Sequence, residues 1–171
     1  MAIELEYSKM FYVTVHLKPK ETPDVYLIDN IPLPSSDFMK DLGVIMCQDL
    51  KFHDHCSAVS NKAHSVCGLI LRCFVTKSPD FMVKMFITFA RSILEYCSPA
   101  WSPYHICDID KIENVQRRFT KRISGLYETP YLDRLAFLKL ESLETRRIKS
   151  DILQTFKIVN GLELNFDDFF C

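Results

Sequence analysis

The spacing of apolar residues changes at residue 53, and this change limits the possible folds more than any other feature of the chain. Before it, apolar residues fall in short extended runs at 11–17, 25–28 and 42–46, separated by turn-forming stretches from Pro19 to Pro23 and from Pro32 to Ser36. Runs of that length between such breaks read as strands. Three brief strands cannot close a core alone, so a small β-hairpin or meander is expected to pack on the C-terminal helices. From His53 onward, Cys56, Val59, Ala63, Val66, Cys67, Ile70 and Phe74 recur every three or four residues. That spacing predicts an amphipathic helix of about five turns.

The helical pattern then repeats. Ser78-Pro79-Asp80 supplies a cap, a first-turn proline and a first-turn acid, so a second helix starts there. Its apolar face, Met82, Met85, Phe86, Phe89, Ala90, Ile93, Leu94 and Cys97, is broad enough to place it centrally, with Lys84, Arg91 and Glu95 on the narrow polar side. Pro99 and Pro103 end it and frame Trp101 and Tyr104 in a rigid loop. A third helix is expected from about Asp108 to Ser124, stopped by Gly125. A short one comes after Pro130, and a last one runs from Ser142 to about Asn160, with Ile148, Ile152, Phe156 and Val159 as its buried stripe and Gly161 as its stop. The expected fold is mainly α (α+β): a β-rich segment over 1–50, then a bundle of about four to five helices over 51–171, packed as one compact unit.

Composition agrees with a folded protein. Among 171 residues, 48% are hydrophobic and 25% charged, which excludes a disordered chain, a collagen or a coiled-coil rod. Seven cysteines, an odd number without a C-x-x-C pair, read as reduced thiols filling a core, and so as an intracellular protein, nuclear or cytoplasmic. The longest apolar stretch, Phe81 to Leu94, is interrupted by Lys84 and Arg91, so no membrane partner is expected.

The net charge of −1 hides a gradient. Residues 1–50 hold 4 basic and 8 acidic side chains, a balance of −4, whereas residues 111–157 hold 11 and 6, a balance of +5. Within the basic stretch, Lys111, Arg117, Arg118, Lys121 and Arg122 fall opposite Ile109, Ile112, Gln116, Phe119 and Ile123 on the third helix, and Arg134, Arg146, Arg147 and Lys149 come after them. Such a stripe can track phosphates. The plainer alternative is a solvated face paired with Glu113 and neighbouring acids. Trp101 and Tyr104 offer rings for stacking on a base, or for plugging a gap between helices.

No catalytic residue, cofactor or metal is expected. G-x-G-x-x-G, P-loop, G-x-S-x-G and H-E-x-x-H patterns are absent, and 4 glycines leave little material for a phosphate-cradling loop. Phe166-Asp167-Asp168 resembles a polymerase metal turn, yet three residues after it cannot supply the second strand that such a turn needs. His53, His55, Cys56, His64 and Cys67 suggest zinc, but on one helix Cys56 and Cys67 stand about 16.5 Å apart.

Several segments in order carry a family resemblance: Asp41-Leu42-Gly43-Val44, Arg91-Ser92-Ile93-Leu94-Glu95-Tyr96, Trp101-Ser102-Pro103-Tyr104 and Val115-Gln116-Arg117-Arg118-Phe119. Asp133-Arg134-Leu135, Ser142-Leu143-Glu144-Thr145-Arg146-Arg147 and Phe156-Lys157-Ile158-Val159-Asn160-Gly161 continue the series. Together they resemble the thumb and post-palm region of a non-LTR, LINE-type (jockey-like) retrotransposon reverse transcriptase, an RNA-directed DNA polymerase. The resemblance implies a truncated, non-catalytic chain, since that family's catalytic aspartates belong to segments that would precede Met1. It implies weak, sequence-independent binding to an RNA–DNA hybrid or duplex, and a palm domain as the partner in the parent enzyme. The alternative is a helical protein-interaction module or an inert fragment.

Overall fold

The computed structural model describes residues 12–13 and 25–162. Most of the expected strand at 11–17, the Phe166-Asp167-Asp168 tail and Cys171 lie outside them. The chain divides into two compact units, Met1–His55 and Cys56–Cys171, and its secondary structure is mainly α with a small β component.

The described residues of the first unit form two antiparallel hairpins. Strand β1 (Leu27–Ile28) pairs with β2 (Ile31–Pro32), and β3 (Phe38–Asp41) with β4 (Val44–Cys47) in the register Phe38↔Cys47 to Asp41↔Val44. Both connections are two-residue turns with positive φ at both central positions: Asp29 at 50° and Asn30 at 61°, Leu42 at 46° and Gly43 at 90°. Such turns match the twist of a hairpin, and Asp, Asn and Gly tolerate them. The strand expected at 42–46 is therefore one arm of a hairpin whose other arm, Phe38–Asp41, is too short and too mixed to stand out in the sequence. The amide of Ile45 donates to His55 Nδ1 at 3.2 Å, which joins this hairpin to the first turn of helix α1 (His53–Cys73).

In the second unit, α2 (Pro79–Met85), a π-helical turn (Phe86–Arg91) and α3 (Ser92–Glu95) succeed one another without a break in helical φ/ψ. Helices α4 (Ser98–Trp101), α5 (Ile106–Lys121), α6 (Tyr131–Leu138) and α7 (Leu143–Val159) complete it. The core gathers around α5: Ile112, Val115 and Phe119 are buried with Cys56, Ala63, Met82, Phe86, Leu94 and Leu143, and the Phe86 and Phe119 rings stack at 5.0 Å.

Helix α5 also buries polar side chains. The Glu113 carboxylate accepts from the Tyr131 hydroxyl and from the amides of Leu143, at 2.9 Å, and Glu144, at 3.3 Å. It thereby satisfies the first turn of α7, where Ser142 accepts from the Thr145 amide at 3.1 Å. Gln116 donates to Tyr131 Oη and to the Glu141 carbonyl.

Two expectations are corrected. Trp101 is not in a loop; it closes the short helix α4, is 1% exposed, and its indole N–H donates to the Tyr96 carbonyl at 2.8 Å. The stripe Ile148, Ile152, Phe156 and Val159 is not buried either, since every one of its members is exposed. Glu113 and Ser142 fix the first turn of α7 so that Leu143 and Arg147 face inward. The apolar stripe is thereby turned outward.

Candidate nucleic-acid interface

The basic residues singled out in the sequence do not form one stripe. Lys111 is half-buried, with its ammonium on Ser57 Oγ at 2.9 Å and on the fully buried Asp108 at 3.3 Å. Arg117 lies over the Tyr131 ring, 5.1 Å from its centre, and bonds to Asn114. Arg146 grips Glu95 with two nitrogens, Nη2 at 3.0 Å, and that carboxylate holds its guanidinium in the charged form. Arg147 is 3% exposed, so it cannot meet a solvent-borne phosphate; burial pushes its pKa down, partly opposed by Glu113 and Glu144. Nor is Arg134 part of a surface. It is buried and donates to Thr120 Oγ1 and to the carbonyls of Thr129 and Arg117, closing the C-terminal end of α5.

Arg118, Lys121 and Arg122 are different. All three are exposed, and among the described residues none has a carboxylate within 4 Å. They line a hollow of about 590 Å³ between α5 and α1, together with His64, Gly68 and Tyr127. Lys121 sits 4.6 Å from the centre of the Tyr127 ring, a favourable cation–aromatic contact. A second hollow of about 570 Å³ adjoins the first through Gly68, Leu71 and Arg122, and adds Arg72 and Lys77. None of the described residues lining either hollow is acidic.

Helix geometry produces the groove. Arg118, Lys121 and Arg122 recur at three and four residues along the last turn of α5, where cations also offset the negative end of the helix dipole. On α1, His64, Gly68, Leu71 and Arg72 share one face. Gly68 keeps the floor open, and a Cβ placed there would meet nothing within 4 Å. The His64 pKa is held below its ordinary value, first by burial and then by Arg118.

Arg72, Lys77 and Tyr127 were missed in the sequence, which singled out His64 only as a zinc candidate. Arg72 and Lys77 are isolated cations outside the basic stretch, and only the packing of α1 on α5 brings them to Arg122. Of the two candidate stacking residues, Trp101 is enclosed in the core, while Tyr104 stays exposed with its ring against His105 and does not line the groove.

The chain is 27% identical over 133 residues to an uncharacterized protein of Caenorhabditis elegans, with 76% of this chain and 67% of that protein aligned. No protein-family model matches the sequence. No solved structure matches either.

Proposed function

We propose that this chain binds nucleic-acid backbones without sequence preference, through the groove between α1 and the C-terminal end of α5. One observation carries the reading: among the described residues, Arg118, Lys121 and Arg122 have no carboxylate partner, and they converge with His64, Arg72 and Lys77 on hollows lined by no acidic side chain. Unpaired cations in a concave wall lose little to internal neutralisation, and each phosphate that they meet releases counterions. Cations spread along a concave wall suit contact with successive phosphates, so backbone contact is the fitting mode. The resemblance to the thumb region of a LINE-type reverse transcriptase points to an RNA–DNA hybrid or duplex as the ligand.

Titration of a labelled RNA–DNA hybrid by fluorescence anisotropy tests this. For three to five phosphate contacts, affinity should drop roughly 40- to 500-fold between 50 and 200 mM salt. The variant R118E/K121E/R122E should lose binding, whereas K62E, on the opposite side of α1, should keep it. Equal binding by wild type and triple variant would overturn the reading. A rival, a helical interaction module, is favoured by a separate observation, the outward apolar stripe of α7.

A further inference from the structure

Helix α7 is amphipathic in the reverse sense. Ile148, Ile152, Phe156, Val159 and Leu162, at its end, are each between 53% and 66% exposed. Leu143 and Arg147, which are buried, lie about 180° and 140° around the helix from Ile152 at 100° per residue. The stripe thus points directly away from the core of its own unit.

We propose that this stripe is an interface with a second copy of the chain, in which the two α7 helices pair side by side and in parallel. Along α7 the residues fit a heptad in which Thr145, Ile152 and Val159 occupy a positions and Ile148 and Thr155 occupy d positions. β-branched residues at a favour a two-stranded pair. The Thr155 hydroxyl is already satisfied by the Asp151 carbonyl at 2.8 Å, so its methyl group is free to face the seam. Charge selects the direction. In this frame Glu144 is a g residue and Lys149 is the e residue five places on, the spacing at which g and e′ meet across a parallel pair. Antiparallel pairing would instead set g against g and e against e, so that Glu144 would meet an acid, Glu144 or Asp151, and the Glu144–Lys149 contact would be lost. Among the described residues, Lys149 is held within its own chain only by Glu141, in a pair whose side chains are 60% and 45% exposed, and so by little energy. Because the inward face of α7 lies opposite the seam, the two helical bodies point away from each other.

Sedimentation velocity of the full chain over a dilution series tests the proposal. The expected species has twice the 20.0 kDa mass of one chain. I152D and I148D, at exposed positions, should each give the monomer with unchanged helical circular dichroism. E144K and K149E should each raise the dimer dissociation constant on the order of tenfold, and E144K/K149E should restore it, since the swap re-forms the pair. A monomer at every concentration would overturn the proposal. So would a dimer that survives both aspartate variants, or a double swap as weak as the single reversals.

Discussion

Four arginines of one basic stretch have four different fates. Arg118 faces an open groove, Arg134 closes the end of α5, Arg146 grips Glu95, and Arg147 is buried with no hydrogen-bond partner for either terminal nitrogen among the described residues. A buried guanidinium is tolerable only beside opposite charge. Glu113 supplies much of it while also binding Tyr131 and the first amides of α7. Replacing it by alanine removes three hydrogen bonds and the largest opposing charge at Arg147. Glu113→Ala should therefore cost about 3–5 kcal/mol, read as a lower urea midpoint. A loss below about 1 kcal/mol would remove Glu113 from the frame of the fold. The buried thiols behave more simply: burial raises Cys56 to about 11 and Cys67 to about 12, so both act as apolar filler.

At the scale of elements, local chemistry accounts for the hairpins and for the start of α7. Ser142 caps α7 where the sequence placed a cap. Asp29-Asn30 and Leu42-Gly43 make their turns because their left-handed backbone suits a hairpin. Leu42 is the misfit, a branched apolar residue at positive φ and 82% exposed. Leu42→Asn should stabilise the β3–β4 hairpin by up to about 1 kcal/mol, seen as slower amide exchange at Ile45 and Met46. Faster exchange would show that the leucine side chain contributes more than its backbone strain costs. The stripe on α7 failed as an expectation because periodicity reports that a helix has an apolar face and not which neighbour covers it.

For the molecule as a whole, pH acts on the two units in the same direction. His55 accepts the Ile45 amide at Nδ1, which requires a neutral ring, and burial with Lys40 nearby lowers its pKa; burial with Arg118 nearby lowers that of His64. A depressed histidine stabilises the fold fully above the unfolded value near 6.5, and that contribution is lost as pH falls through the folded pKa. Stability should thus decline below about pH 6.5. A polyanion in the groove favours protonated His64, so hybrid affinity should rise over the same descent, and His64→Gln should remove much of that rise. Affinity independent of pH from 7.5 to 5.5 in the wild type would exclude His64 from the contact.

The switch from extended runs to helical spacing, the proline and serine helix starts and the glycine stop at 125 were legible because each depends on a few neighbouring residues. They determined a mainly α chain with a small β element and a basic C-terminal half. Tertiary structure decided which cations remain free, that Trp101 is core, and which side of α7 meets solvent. The reason is the same in each case. A side chain's charge and apolarity belong to the residue, but whether they are satisfied depends on partners distant in sequence: Glu113 for Arg147, Glu95 for Arg146, and for Arg118 no carboxylate among the described residues.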